Sequence, residues 1–188
     1  MKTFSVVLLG AALLAAARPA WAAPAQVIVI RHGEKPPSGP DLDEQGYARA
    51  QALVGFFQNN PAVTQFGTPA AIYAMDPKGP NGSLRAIETV TPLAQALGLS
   101  INKDYKRKDI PQLVQDILSN SAYDGKTVLI CWEHRVIPDI VDAFGWTSAP
   151  QSWAGSSFDR AWVLTFTGDR VTDFVDVPEH VLPGDSPD

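Results

Sequence analysis

Val27-Ile28-Val29-Ile30-Arg31-His32-Gly33-Glu34-Lys35 is an apolar run that ends abruptly in charged and polar residues. The β-branched part is typical of a buried strand, which we predict over residues 26–31. The strand ends in a guanidinium, an imidazole and a glycine that lets a ligand approach the backbone. Ligands of open α/β sheets bind beyond the carboxyl ends of the strands. We therefore expect a functional site to begin at Arg31 and His32.

The rest of the chain alternates between helix and strand patterns. It predicts helices over 44–58, 84–97, 109–118 and 138–144, and further strands over 71–75, 127–132, 161–166 and 171–177. This alternation predicts an α/β fold, a three-layer sandwich with a mostly parallel central sheet. The turn at Gly168 indicates a C-terminal antiparallel edge hairpin. Ser83 is predicted to cap the second helix, Gly98 to end it, and residues 183–188 to be frayed.

The N-terminus has the features of an export signal. Lys2 gives a basic start, and residues 5–17 form an apolar core that is too short to span a membrane. Ala20-Trp21-Ala22 has the small-x-small pattern of a cleavage site. We predict a signal peptide at residues 1–22, a single domain at 23–188, and a periplasmic or secreted protein. No cysteine follows the apolar core, so no stable membrane anchor is expected.

Charge and cysteine content narrow the range of partners. The chain has 20 acidic and 15 basic side chains and a formal net charge of −5, which argues against nucleic acid and anionic membranes. The one cysteine, Cys131, cannot form an internal disulfide, and its strand pattern predicts a small buried apolar residue. Three histidines without a second cysteine give no zinc spacing, so we predict neither a metal site nor a cofactor. No oligomeric state is predicted.

Three strand ends are expected to bring cationic side chains together. The first ends in Arg31 and His32, the second leads through a glycine-rich loop to Arg85, and the third ends in Glu133 and His134. Parallel strands present their carboxyl ends at one edge of the sheet, so these side chains should converge. A phosphate monoester carries about −1.5 to −2 charges near neutral pH, and arginine binds it bidentately. The expected ligand is a small phosphorylated substrate.

Taken together, these motifs resemble the histidine phosphatase superfamily, which includes phosphoglycerate mutase-like and acid phosphatase-like enzymes. The chain is similar to a small, exported bacterial member, and the resemblance implies a phosphoglycerate mutase-like fold. The matching residues are Arg31-His32-Gly33-Glu34, Leu42, Gly46-Tyr47-Ala48-Arg49-Ala50, Ser83, Arg85, Glu88, Thr89 and His134.

The resemblance also implies a role for each matching position. His32 would attack phosphorus and carry a phosphohistidine, while Arg31, Arg85 and His134 would hold the phosphoryl oxygens. The implied activity is a histidine acid phosphatase-type hydrolysis of a phosphomonoester that needs no metal. The chemistry agrees, because a histidine nucleophile must be neutral and neighbouring arginines lower its pKa from about 6.5. Glu34 is expected to order the loop rather than to react.

The proton donor for the leaving group is where the chain departs from the common family patterns. Arg135 stands where one branch has an aspartate, and the segment after Arg85 offers only aspartates where another branch has a glutamate. Glu133 is the preferred donor and Asp109 the second choice. In an extended strand the side chain of Glu133 would point away from that of His134, so this role requires a turn of the backbone at the strand end.

Three other functions stay open at this point. A phosphomutase uses the same covalent step, although export argues against a glycolytic role. A non-catalytic phosphate-binding module of the cell envelope would keep Arg31 and Arg85 but would need no proton donor. A protein phosphohistidine phosphatase is compatible with a small open domain, although the usual phosphohistidine proteins are cytoplasmic.

Overall fold

A computed structural model of the protein describes residues 23–79 and 82–186. Its six-stranded sheet has the order β3-β2-β4-β1-β5-β6. The strands β1 to β4 are parallel, and β5 and β6 are antiparallel to their neighbours. This confirms the predicted sheet with its C-terminal edge hairpin. The strands are β1 (Gln26–Arg31), β2 (Ala71–Ala74), β3 (Ile101–Asn102), β4 (Thr127–Trp132), β5 (Arg160–Thr167) and β6 (Arg170–Pro178).

Helices connect the parallel strands and cover the sheet. Helix α1 packs on α3, and α4 packs on α5. Every residue of β1 and of β4 is buried, which requires cover on both faces of the sheet. The predicted three-layer α/β sandwich is therefore confirmed. The helices are α1 (Glu44–Asn59), α2 (Pro61–Thr64), α3 (Arg85–Leu97), α4 (Ile110–Ser119) and α5 (Ile137–Ala143).

The register of the central strands brings their carboxyl ends to one edge. In the β1–β4 pair, Arg31 lies opposite Trp132, and the His32 N–H donates to the Trp132 carbonyl oxygen at 3.1 Å. On the other side of β4, the Met75 N–H donates to the Cys131 carbonyl oxygen at 3.2 Å. The residues that follow β1, β2 and β4 therefore begin side by side. Cys131 is fully buried, as its strand pattern predicted.

The loop after β1 lies directly on the first turn of α1. Asp43 caps α1 by accepting a hydrogen bond from the Gly46 N–H at 2.9 Å, and its own N–H donates to the Glu34 carbonyl oxygen at 3.1 Å. A Cβ atom on Gly46 would overlap that carbonyl oxygen and lie 2.9 Å from the Glu34 nitrogen. The close approach of the loop to the helix therefore requires glycine at position 46.

Two local predictions are wrong. Ser83 does not cap α3; the cap position is Leu84, whose carbonyl oxygen accepts the first helical hydrogen bond, from the Glu88 N–H at 2.9 Å. The C-terminal end is not frayed as far as residue 186, since Asp185 forms an ion pair with Arg49 and the Ser186 N–H donates to Asp159. The predicted end of α3 is confirmed, with Gly98 in the left-handed region at φ 66°.

The predicted signal peptide, residues 1–22, lies outside the described residues and stays a prediction. Within the two described ranges, none of the helices combines the length and the apolar character needed to cross a membrane.

Candidate active site

His32 is held in the state that a nucleophile requires. Its Nδ1 lies 2.7 Å from the Gly33 carbonyl oxygen, so Nδ1 carries the proton that is donated and Nε2 keeps a lone pair. The side chain is buried, and burial together with the positive charges of Arg31 and Arg85 lowers its pKa to about 4. At neutral pH the imidazole is therefore neutral, with Nε2 available to attack.

Thr89 links the His32 loop to the helix that carries Arg85. The Gly33 N–H donates to Thr89 Oγ1 at 2.8 Å, and the Thr89 hydroxyl donates to the Arg85 carbonyl oxygen at 2.7 Å. Thr89 is fully buried. One hydroxyl therefore sets the position of Gly33, whose carbonyl group in turn fixes the His32 tautomer. The sequence motif included Thr89, but reasoning from sequence assigned it no role.

Arg31 lies in a cradle formed by the loop before β5. Its guanidinium lies over the Phe158 ring, 3.6 Å from the centroid, and Nη1 donates to the carbonyl oxygens of Gly155 at 2.8 Å and Ser157 at 2.7 Å. Burial lowers its pKa to about 10, so it remains charged at neutral pH. Arg31 Nε is buried and has no hydrogen-bond partner among the described residues. The guanidinium is thus fixed on one side and keeps a donor for an oxyanion.

Arg85 is the first residue of α3 and is held by the loop between β1 and α1. Its Nε donates to the Asp41 carbonyl oxygen at 3.1 Å, and its Nη2 donates to that of Gly39. Glu88 does not pair with Arg85; its carboxylate accepts hydrogen bonds from the Leu42 N–H and the Tyr47 hydroxyl, both at 2.8 Å. Backbone carbonyl groups orient Arg85 and leave its charge uncompensated, so it acts on His32 and lowers the His32 pKa.

His134 begins a short 3₁₀ turn, His134–Val136, directly after β4. Burial and the positive charge of Arg31 lower its pKa, which favours a neutral ring at neutral pH. Its Nδ1 lies 3.3 Å from Glu133 Oε1, without the alignment of a hydrogen bond, and is buried with no partner in the described part of the chain. His134 Nδ1 is therefore a buried ring nitrogen turned toward Glu133 and without a hydrogen bond to any residue that the structure describes.

The carboxyl groups of both predicted proton donors, Glu133 and Asp109, accept hydrogen bonds from neighbouring groups. Glu133 Oε2 accepts a hydrogen bond from Arg107 Nε at 2.8 Å, and Oε1 accepts one from the Arg135 N–H at 3.3 Å. Burial favours the neutral acid, but these partners outweigh it and lower the pKa of Glu133. The carboxylate of Asp109 accepts a hydrogen bond from the Lys106 N–H at 3.0 Å. No hydrogen bond joins either carboxyl group to His32 within the described ranges.

Three of the residues that the sequence grouped with His32 lie close enough to act on its imidazole: Arg31, Arg85 and His134. The positive charges of Arg31 and Arg85 act on His32 and lower its pKa, and His134 does the same when it is protonated. Phosphoryl transfer depends mainly on positioning and on stabilising the charge of the transferring group, and two arginines beside a neutral imidazole supply both. Among residues 23–79 and 82–186, no group of three or more His, Cys, Asp or Glu side chains is placed to hold a metal ion.

A basic groove opens beside the turn that carries His134. It has a volume of about 570 Å³, and its charged lining residues are Arg107, Lys108, Arg135 and Asp139. Arg107 connects the groove to the site, since its Nε binds Glu133 and its carbonyl oxygen accepts a hydrogen bond from Trp132 Nε1 at 3.3 Å. In a chain of net charge −5, this concentration of cations stands out. Three of the four charged residues that line the groove are positive, which favours an anionic ligand there.

Comparison with solved structures identifies the fold. Phosphoglycerate mutase from Bacillus anthracis str. Sterne matches with a TM-score of 0.52 and 13% identity, covering 86% of this chain and 95% of that one. A SixA protein histidine phosphatase complexed with tungstate matches with a TM-score of 0.54 and 15% identity, covering 82% and 97%. This chain has the fold of SixA protein histidine phosphatase and of phosphoglycerate mutase.

A third structure with this histidine phosphatase fold is a protein from Agrobacterium tumefaciens assigned as phosphohistidine phosphatase SixA. It matches with a TM-score of 0.51 and 16% identity, covering 81% of this chain and 98% of that one. No family model matches the sequence, and no curated protein matches it significantly. The phosphoglycerate mutase-like fold that the resemblance implied is therefore confirmed by structure.

Proposed function

We propose that this protein hydrolyses a phosphomonoester through a phosphohistidine on His32, without a metal ion. The observation that carries the proposal is the hydrogen bond from His32 Nδ1 to the Gly33 carbonyl oxygen, which leaves the lone pair on Nε2. The positive charges of Arg31 and Arg85 act on this imidazole and lower its pKa. A neutral nucleophile beside two fixed guanidinium groups suits attack on a phosphate dianion.

The reaction takes place in two steps. Arg31, Arg85 and His134 hold the phosphoryl oxygens while His32 Nε2 attacks phosphorus. The N–P bond forms, the P–O bond to the leaving group breaks, its electron pair goes to that oxygen, and an alkoxide leaving group takes a proton from solvent. Water then attacks the phosphohistidine, the N–P bond breaks, and its electron pair returns to Nε2. Inorganic phosphate is released. The arginines stabilise the charge on the transferring group in both steps.

The basic groove supports an anionic substrate. Arg107, Lys108 and Arg135 line it beside the turn of His134. A positive rim around a concave site raises the local concentration of anions and their rate of association. The overall negative charge of the chain repels anions elsewhere, so the groove directs them toward His32.

The state of Glu133 favours a second candidate, the hydrolysis of a phosphoramidate such as a protein phosphohistidine. An alkoxide needs a proton when it leaves, but Glu133 is ion-paired with Arg107 at 2.8 Å and has a lowered pKa. A phosphorylated imidazole takes its proton on the distal ring nitrogen from solvent and leaves as a neutral ring. Two of the structural neighbours carry the name phosphohistidine or protein histidine phosphatase. The predicted export weighs against this candidate.

Hydrolysis of p-nitrophenyl phosphate by the mature protein, with a chelator present, tests the proposal. Turnover in the wild type that is lost in His32→Ala is the expected result. Equal activity in both proteins contradicts the assignment of the nucleophile. Phosphate binding without turnover points to a non-catalytic module, and phosphoryl transfer to an added alcohol in preference to water points to a mutase. Phosphoimidazole, run in parallel, distinguishes the second candidate by a much higher kcat/KM.

We also propose that the protein acts outside the cytoplasm, on the strength of the predicted signal peptide. Expression of the full chain followed by mass determination of the exported form tests this. A mature N-terminus at Ala23 is expected. Retention of residues 1–22 in a cytoplasmic protein contradicts it.

A further inference from the structure

The C-terminal residues 179–186, here called the C-terminal strap, fold back onto the two loops that hold the candidate site. Asp185 closes the strap locally, since its Oδ2 accepts hydrogen bonds from the N–H groups of Val181 at 2.8 Å and Leu182 at 2.9 Å. Glu179 and Asp185 then point to the same buried guanidinium, that of Arg49. The strap is therefore anchored by charge rather than by apolar packing alone.

Arg49 joins the strap to the loop that carries His32. Its side chain is only 2% exposed, and its Nε and Nη2 donate to the Glu34 carboxylate at 2.8–3.1 Å. The remaining donors bind the strap: Nη1 donates to Glu179 at 3.1 Å, and Nη2 donates to Asp185 at 2.6 Å. Glu34 is separated from His32 only by Gly33. One guanidinium thus fixes the catalytic loop and the end of the chain together.

A second route joins the strap to the cradle of Arg31. The Ser186 N–H donates to Asp159 Oδ2, and the Glu179 N–H donates to the Asp159 carbonyl oxygen at 2.8 Å. Asp159 Oδ1 accepts a hydrogen bond from the Ser157 hydroxyl at 3.2 Å. The Ser157 carbonyl oxygen is one of the three that accept hydrogen bonds from Arg31 Nη1. The strap is therefore linked to the His32 loop through Arg49 and to the loop that binds Arg31 through Asp159. It contributes no side chain to the candidate site.

Losing the contacts of Arg49 with its carboxylate partners is expected to cost free energy, because the partners are buried. Glu34, Glu179 and Asp185 are nearly buried around Arg49, with side-chain exposures of 11%, 1% and 5%. Removing one member of a buried charged network leaves the others short of a partner, and the structure relaxes to let in water. Relaxation here displaces the Glu34 backbone, and with it the Gly33 carbonyl group that orients His32.

We propose that the C-terminal strap is part of the catalytic apparatus, with Arg49 and Asp185 as positioning residues that hold the His32 loop and the Arg31 cradle for phosphoryl transfer. This rests on the proposed function of His32. Release of the strap exposes His32 to water and moves Arg31 away from it. Both changes slow phosphoryl transfer, on the order of tenfold to a hundredfold for a displacement of about 1 Å.

Titration of the histidines by NMR in Asp185→Asn and Asp185→Lys tests the proposal. The chain has only three histidines, so each signal can be assigned. His180 lies in the strap, with Nε2 2.9 Å from the Ser186 carbonyl oxygen, and its signal reports whether the strap is seated. Asp185→Asn keeps the shape of the side chain, and Asp185→Lys places a cation against Arg49. Asp173→Asn, an exposed carboxylate on β6, is the matched control.

The expected result is that the His32 pKa rises from about 4 toward its ordinary value of 6.5 in the folded Asp185 variants, while Asp173→Asn behaves as the wild type. The His180 signal changes at the same time, and kcat falls on the order of tenfold or more with a smaller change in KM. A folded Asp185→Lys protein in which His32 titrates as in the wild type overturns the proposal. So does an Asp185→Asn protein with a changed His180 signal and an unchanged His32 pKa.

The NMR readout needs no turnover, so it separates this inference from the proposed function. A wild type without phosphatase activity overturns the function, yet a rise in the His32 pKa on release of the strap would still establish the coupling. A loss of thermal stability without movement of the His32 pKa assigns the strap a structural role only and contradicts the positioning role.

Discussion

His32 Nδ1 lies 2.7 Å from the carbonyl oxygen of Gly33, and this single hydrogen bond decides which ring nitrogen can react. The carbonyl oxygen accepts a hydrogen bond from Nδ1–H, so the proton stays on Nδ1 and the lone pair is on Nε2. Gly33 is itself fixed from the other side by Thr89. The tautomer of the nucleophile thus depends on an α3 residue 57 positions away in the sequence, through backbone atoms of the motif.

The pH profile of the reaction should reflect the burial of His32. Burial and the charges of Arg31 and Arg85 lower its pKa to about 4, and protonation of Nε2 removes the nucleophile. We expect kcat/KM to rise with pH through about 4 and to be insensitive to the His32 imidazole above pH 6. Measurements with p-nitrophenyl phosphate from pH 3 to 8, corrected for ionisation of the substrate, give this limb. A rise of kcat/KM centred on pH 6.5 would instead indicate a His32 imidazole with the pKa of a solvent-exposed histidine.

Loss of the Thr89 hydroxyl should impair both stability and activity. Thr89→Val leaves the buried Gly33 N–H without a partner, at a cost of about 1–3 kcal/mol in the free energy of unfolding. We also expect kcat/KM to fall on the order of tenfold or more, because Gly33 shifts. Thr91→Val is the control, since Thr91 bonds only the Ile87 carbonyl oxygen of its own helix. Urea unfolding and steady-state kinetics measure both effects; equal losses in the two variants would argue against a special role for Thr89.

Two glycines of α1 should respond in opposite directions to alanine. At Gly46 an added Cβ overlaps the Glu34 backbone, and overpacking of this kind costs about 1–3 kcal/mol. At Gly55 nothing lies within 4 Å, so alanine should stabilise the helix by about 0.5–1 kcal/mol. We expect Gly46→Ala to lose activity and Gly55→Ala to keep it. Unfolding midpoints and p-nitrophenyl phosphate kinetics of the pair test this, and a Gly46→Ala protein as active as Gly55→Ala would refute the close approach.

Whether Glu133 donates the proton can be tested by comparing the effect of Glu133→Gln on kcat/KM for substrates with good and poor leaving groups. Since Glu133 is held as a carboxylate by Arg107, we expect the variant to lose a similar factor of kcat/KM with p-nitrophenyl phosphate and with an alkyl phosphate. A general acid contributes about 10²–10⁴ when the leaving group is poor. A loss confined to the alkyl phosphate would therefore establish Glu133 as the donor that the sequence favoured. Asp109→Asn, assayed with the same two substrates, tests the second choice.

Stability should depend on pH through Glu179. Burial raises its pKa well above the ordinary 4.5, so its contribution to stability is full below about pH 4.5 and is lost as the pH rises through the raised value. Glu179→Gln resembles the protonated form and does not titrate. The wild type loses this stability as the pH rises, and the variant does not. We therefore expect the unfolding free energy of Glu179→Gln minus that of the wild type to increase from pH 5 to pH 9, as measured by urea denaturation. An advantage that shrinks with rising pH would contradict the assignment.

The central strands, and the polar residues that follow them, were predictable because the patterns that indicate them lie within short segments of sequence. Strands β1 and β4 have the predicted bounds, since each is a continuous apolar run with polar residues directly after it. Glu34 was predicted to order its loop, and its ion pair with Arg49 bears this out. The two-residue strand β3 was missed because so short a segment has no periodicity.

The features that the sequence did not reveal all depend on contacts between distant segments. Helix α3 starts after Leu84 rather than after Ser83, and the Leu84 N–H donates to the carbonyl oxygen of Pro40, which is distant in the sequence. The C-terminal strap depends on Arg49, a residue of α1 that no local pattern connects with Asp185. Arg31 is held by the backbone carbonyl oxygens of Gly155 and Ser157. Every residue has such a group, so the sequence does not reveal this contact.

Trapping the covalent intermediate tests the central claim most directly. The mature protein is mixed with p-nitrophenyl phosphate, quenched in alkali, where phosphohistidine survives, and analysed by intact mass and peptide mapping. We expect a mass increase of one phosphoryl group, located on His32 and absent from His32→Ala. Turnover with no phosphorylated His32, or a phosphoryl group that persists in His32→Ala, would contradict the assignment of His32 as the nucleophile.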